Sequence, residues 1–243
     1  MIVILDLFEG ERLEWTLEDM QARLGYTRST LYRYLKVLTD TGLLTSLPDV
    51  GYTLGPRITE LDYSMRRRDP MIIASRPFMS EMVQEFSGIA LLCRRYRDRV
   101  LCVYQERGTA SFRSNYERGL ARSLFRGAAS RIILANLPSA QVRRIYESDP
   151  QRVQNAGLGG TINELRANLR AIRQAGFDQT ESQVTRGVTG VAAPIFDRRN
   201  NVLGSIGLTI AQDNVSEARL AQMADRIMHC ARIVTRTIAR DGA

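Results

Sequence analysis

Residues 26–38 read YTRSTLYRYLKVL and gather many side chains able to touch a nucleic acid. Thr27, Ser29 and Thr30 bring hydroxyls, Arg28 and Arg33 guanidinium groups, and Tyr32 a phenol; Lys36 is the only lysine in the chain. Arginine can bond O6 and N7 of guanine together, serine and threonine suit several base edges, and lysine reaches phosphate. Leu31, Leu35 and Leu38 recur at helical spacing. Turned inward, they leave Arg28, Ser29, Tyr32, Arg33 and Lys36 outward. A solvated helix face is the ordinary fate of such residues, so this helix alone does not choose between DNA and water.

Other chemistries find less support. The single histidine, His229, falls inside an amphipathic run with no Ser/His/Asp or Cys/His set spaced around it. One histidine and three scattered cysteines make no zinc-like cluster, and no phosphate-binding glycine motif follows a strand. The expectation is a protein that is not an enzyme and uses no cofactor or metal. Cys93 and Cys102 fall on adjacent strand-like runs. They read first as reduced packing residues, with a thiol-based redox pair as the alternative. In GSIGLTI, Ile206, Leu208 and Ile210 alternate with Ser205, Gly207 and Thr209. A small-residue strand face leaves room for a ligand or allows close packing, and VTGVAAPIF beside it is equally small.

The elements that must hold these residues follow from spacing. Ile2–Glu9 fits a short helix. Thr16 with Asp19 starts a second helix, which Gly25 stops, and Thr27 caps a third that ends near Gly42. Two helices joined by a glycine turn form a helix-turn-helix. Two short alternating runs around Pro48–Gly51 add a hairpin, giving a winged helix-turn-helix over 1–56. Arg57, just after the wing, is a phosphate candidate. A linker helix follows over 57–70, closed by Asp69-Pro70; its Arg66–Arg68 run is either solvated or close to phosphate.

Residues 71–243 read as an α+β domain, an antiparallel sheet with flanking helices. GIALLCRRY and RVLCVYQE predict a strand pair, SFRSNY a third strand, and VTGVAAPIF with NVLGSIGLTI another pair. Helices are expected over 126–137 and 139–147, after the capping box Thr161–Glu164, and from about Ser216 onward.

The net charge of +8 invites a nucleic-acid reading, but it is uneven. Residues 1–68 carry a net −1 and residues 69–243 a net +9. DNA binding would therefore rest on a local cluster and not on a bulk field. No stretch nears the roughly 18 apolar residues of a membrane span, and the start lacks a basic lead-in, so a cytoplasmic protein is expected.

In combination and order, ILDLFEG, TLEDMQARLGYTRSTLYRYLKVLTDTGLL, YTLGPRITEL and GVTGVAAPIFD with VLGSIGLTI resemble the IclR family of bacterial transcription regulators. The resemblance covers nearly the whole chain. It implies a GAF-like effector-binding second domain, binding to a double-stranded DNA operator, and a homodimer or a dimer of dimers. It also implies a small organic effector, often a carboxylate or aromatic acid. Carried over residue by residue, the effector site falls on Arg126, Gly127, Ala128, Ala129, Glu181, Gly190, Val191, Gly207 and Thr209. Ser130-Arg131 stands where the family has Gly-Lys. Arg126 near a helix N-terminus would suit a carboxylate; an ion pair with Glu117 is the alternative.

Overall fold

A computed structural model describes residues 1–10, 12–110, 112 and 114–241. The chain divides into two compact units, Met1–Arg68 and Asp69–Ala243.

The first unit opens with a 3-10 helix, Ile2–Glu9, where the sequence predicts a short helix. Helix α1 spans Leu17–Leu24, and the Thr16 hydroxyl accepts from the Asp19 N–H at 3.1 Å. Gly25 closes α1 at φ 69°, in the left-handed region that favours glycine. Thr27 caps α2, Arg28–Asp40, by accepting from the Thr30 N–H. Strands β1 (Leu44–Leu47) and β2 (Gly51–Leu54) pair antiparallel as the wing. Trp15 adds a third, single-residue strand, exchanging both backbone bonds with Tyr52 at 3.0 and 2.9 Å. Ile4, Met20, Leu31, Leu35, Leu38 and Leu44 form the core, each at most 1% exposed. Helix α3, Arg57–Arg68, follows the wing and buries no residue within its own unit.

In the second unit, Asp69 does more than break a helix. Its Oδ1 accepts from the Met71 N–H at 2.8 Å and from Arg94 Nη2 at 2.8 Å. It thereby caps α4, Pro70–Phe86, with Pro70 at the first turn, where a missing N–H costs nothing. Strands β3 (Ile89–Tyr96), β4 (Arg99–Arg107) and β5 (Ala121–Ser123) come next. Helices α5 (Ala128–Ala135), α6 (Ser139–Ser148), α7 (Pro150–Asn155) and α8 (Ile162–Ala175) follow. Strands β6 (Asp178–Glu181), β7 (Val188–Phe196) and β8 (Val202–Ala211) precede the long α9, Glu217–Asp241. The strands make one antiparallel sheet in the order β5-β4-β3-β8-β7-β6. The chain is thus α+β, as its pattern implies.

Strand alternation splits the packing into two layers. Ile89, Leu91 and Cys93 face α5 and α8, whereas Ala90, Leu92, Ile206, Leu208 and Ile210 face α4 and α9. The expected third strand is misplaced. Residues 112 and 114–116 lie in irregular backbone, Ser111 and Arg113 fall outside the described residues, and β5 starts only at Ala121. The reason is side-chain competition for the backbone. Asn115 donates to Thr185 Oγ1 and the Val184 carbonyl, and the Tyr116 N–H donates to Ser114 Oγ at 3.0 Å.

Candidate functional site

On α2 the leucines do what their spacing demands. Leu31, Leu35 and Leu38 are buried, and Arg28, Ser29, Tyr32, Arg33 and Lys36 are exposed along the opposite side. Thr27 and Thr30 are largely committed: Thr27 Oγ1 caps the helix and bonds Thr30 Oγ1 at 2.9 Å. Arg28 lies 3.5 Å from Glu18 and 5.9 Å from the Tyr32 ring centre, both at the surface. Such exposed pairs hold weakly and yield to phosphate. Arg57 is bound to Glu60 at 2.7 Å within α3. The helix therefore presents guanidinium and hydroxyl donors at its N-terminal half, the part that meets base edges in a helix-turn-helix, with the Lys36 ammonium further along the same side.

In the second unit a polar cluster surrounds the start of α5. Gly127 has φ 85°, and a Cβ there would come within 2.7 Å of Tyr116 Oη. Its N–H donates to Gln183 Oε1 at 3.0 Å, and the Ala128 N–H donates to Thr180 Oγ1 at 3.0 Å. Tyr116 Oη sits 2.8 Å from Ser130 Oγ and donates to the Arg126 carbonyl at 3.2 Å. Burial is the main reason the Tyr116 phenol is pushed far up, so it stays protonated. Ser205 Oγ donates to the Ala129 carbonyl at 2.8 Å. Thr209 Cγ2 approaches Gly190 closely, and Thr180 Oγ1 lies just beyond it. This end of α5 thus offers backbone donors to an anion, presently taken by two neutral side chains.

The structure brings Gly127, Ala128, Ala129, Gly190 and Thr209 to this cluster and leaves others out of it. Val191 points to the opposite sheet face, into the α4 and α9 layer, because its neighbours in alternation are Ala193 and Ile195. Glu181 is exposed, since Thr180 takes the inward position on β6. Arg126 is exposed too, and what reaches the cluster is its carbonyl. Gly207 is small for packing reasons: a Cβ would lie 2.8 Å from the Val191 carbonyl oxygen and 3.0 Å from Ala192 Cβ.

Sequence reasoning misses Tyr116, Thr180, Gln183 and the buried acid Asp178. They occupy loops and a polar four-residue strand, which carry no distinctive spacing. Asp178 lies 3.0 Å from Arg131 Nε, with their side chains 7% and 18% exposed. Burial outweighs the guanidinium and pushes the Asp178 carboxyl up to about 6.

Cys93 and Cys102 are directly opposed on β3 and β4, buried, and unbridged. The thiol–thiol interaction and burial hold the Cys93 thiol well up, while the same interaction lowers the Cys102 thiol.

Among the described residues no three metal-ligating side chains converge, and no helix is long and apolar enough to cross a membrane.

The family profile described as "Bacterial transcriptional regulator IclR C-terminal" matches residues 65–236, and "IclR helix-turn-helix domain" matches residues 2–48. The HTH-type transcriptional regulator KipR of Bacillus subtilis is 23% identical over 92% of this chain and 89% of its own length. BhcR of Paracoccus denitrificans is 25% identical, covering 89% of this chain and 78% of its own. The fold matches an IclR homolog from Microbacterium hydrocarbonoxydans, solved in complex with 4-hydroxybenzoate. Its TM-score is 0.78 at 18% identity, over 99% and 98% of the two chains. A helix-turn-helix unit joined to this effector-domain fold, matched by profiles over both parts, makes the chain a member of the IclR family of bacterial transcription regulators.

Proposed function

We propose that this regulator binds a small organic acid, a carboxylate or aromatic acid, at the N-terminal end of α5, and that occupancy changes how its first unit binds a double-stranded operator. The observation that carries the reading is the pair of N–H groups of Gly127 and Ala128. Both are aimed out of the helix and held by the Gln183 and Thr180 side chains. An effector carboxylate offers two charged acceptors and can replace them. Arg126 at the exposed rim supplies a cation. The bound 4-hydroxybenzoate of the Microbacterium protein supports the ligand class. Allostery requires the acid to favour one state of the protein over another.

At the operator, Arg28, Ser29, Tyr32, Arg33 and Lys36 contact bases and phosphates, with Thr27 and Thr30 setting the start of α2 and Arg57 reaching phosphate. The chain works as a homodimer or a dimer of dimers. Leu61, Tyr63 and Met65 on α3 support assembly, being 42, 53 and 69% exposed within the chain.

The test is a thermal-shift screen of carboxylates and aromatic acids, 4-hydroxybenzoate first, coupled to binding of the neighbouring promoter DNA. One acid should raise the melting temperature and alter DNA affinity, and Arg126→Ala should abolish that response. A flat screen with DNA binding intact points to an architectural DNA binder and refutes the reading. A second reading, a thiol-based redox sensor, draws on the opposed Cys93 and Cys102. Its signature is peroxide-sensitive DNA binding that Cys93→Ser and Cys102→Ser both abolish.

A further inference from the structure

A cleft of about 390 Å³ opens at the C-terminal end of α5, the opposite end from the Gly127 cluster. Arg173, Arg232 and Arg236 line it, over an apolar floor that includes Pro194, Phe196 and Met228. Among the described residues no carboxylate belongs to its lining.

The two arginines of α9 stand one turn apart, and like charges at that spacing repel each other. Both are exposed, and among the described residues neither has an acidic partner. Arg173 is anchored: its Nε donates to the Ala135 carbonyl at 2.8 Å.

Helices α5 and α8 both end at this cleft, and bare C-terminal carbonyls there would repel an anion. They are covered. Asn136 Nδ2 donates to the Ile132 carbonyl at 2.8 Å, the Gly176 N–H to the Ile172 carbonyl at 3.2 Å, and Arg173 takes the Ala135 carbonyl. The charged side chains facing the cleft among the described residues are the three guanidinium groups.

One wall is an open strand edge. Strand β6 pairs with β7 only as far as Asp178↔Ala192, so Ala193–Phe196 have no outer neighbour. Such an edge can recruit a peptide strand. This one is blunted, because Pro194 has no N–H and the Phe196 N–H already donates to Thr235 Oγ1 at 3.2 Å. The occupant is therefore a small molecule.

We propose that this cleft is a second ligand site, separate from the one at the start of α5, for an amphipathic organic anion. The carboxylate pairs with Arg232 and Arg236, and the apolar body lies on Pro194, Phe196 and Met228. Volume and lining suit the class, since small-molecule sites of this size are apolar with a few charged groups that fix orientation.

The experiment uses the full chain with ¹³C-methyl methionine and octanoate as the probe. Met228 is assigned by its loss in Met228→Leu. The Met228 methyl resonance should shift saturably with octanoate. The neutral isostere octanamide should bind about tenfold or more weakly, as should octanoate to Arg232→Gln/Arg236→Gln, because charge-assisted hydrogen bonds are lost. Both substitutions are at exposed positions, and circular dichroism checks that the fold is kept. An unmoved Met228 resonance, or equal affinity for octanamide, overturns the proposal. So does full affinity in the double variant. A Met228 resonance that follows protein concentration instead assigns the cleft to a second copy of the chain and also overturns it. None of these outcomes bears on the site at the start of α5, which Met228 does not touch.

Discussion

The Asp178 carboxyl offers a measurable consequence of burying an acid beside an imperfect partner. Its Oδ2 lies 3.0 Å from Arg131 Nε, yet neither atom gains a well-directed hydrogen bond. Desolvation therefore dominates, and the carboxyl is raised from 3.8 to about 6. A tenfold change in proton affinity is worth about 1.4 kcal/mol, so ionising Asp178 costs the folded state about 3 kcal/mol. With the side chain 7% exposed, little of this is lost to solvent screening. Between about pH 4 and 6 the folded state holds this proton, whereas the unfolded chain has released it. Stability from this group is thus full below about pH 4 and falls as pH rises through about 6. Asp178→Asn removes the titration. Below about pH 6 the protonated acid gives Arg131 no counter-charge either, and the pairing regained above it is already contained in the pKa of about 6. The assay is urea unfolding by circular dichroism at about pH 4, 5, 6 and 7. Relative to the variant, the wild type should lose about 2–3 kcal/mol across that range. A flat difference, or one of opposite slope, would refute the reasoning and show that the Arg131 pairing outweighs burial.

Three further outcomes concern other parts of the chain. Arg33→Ala should weaken a specific operator by about 1–3 kcal/mol and leave random DNA little affected; equal losses on both in a gel-shift titration would make Arg33 a phosphate contact only. Leu35→Ala, at a position 1% exposed, should destabilise the first unit by about 2–5 kcal/mol in urea unfolding. Gly127→Ala should cost about 1–3 kcal/mol by calorimetry, because φ is 85° and the new Cβ meets Tyr116 Oη. An unchanged melting temperature would mean that this turn relaxes freely.

Much of the framework is legible because caps and spacing are local. Thr16 with Gly25, Thr27 with its leucines, and Thr161 with Gly176 each bound a helix by bonds within a few residues. Alternation on β8 also places Ser205 opposite Ile206. Helix α4 is hidden because Asp-Pro reads as a stop, although the same pair starts a helix when the aspartate turns back on the next N–H groups. The candidate site is less legible. Resemblance assigns Val191 and Glu181 to it, but strand parity turns both away from α5. The side chains that do close on Gly127 and Ala128 come from a loop and a short polar strand. Their approach depends on contacts between residues far apart in sequence, such as Gln183 with Gly127. Gly207 shows the converse case, where smallness records a crowded backbone and not an empty space.

Trp15 is the only tryptophan in the chain, and it is stitched to the wing by both bonds to Tyr52. The Arg12 guanidinium lies 4.3 Å from its ring centre. Emission excited at the red edge therefore originates in the first unit alone, while far-ultraviolet ellipticity sums over both. Recorded together through one denaturation, the two signals separate the melting of the DNA-reading head from that of the ligand-binding body. Quenching on operator addition would likewise be local to the head, and no label need be attached.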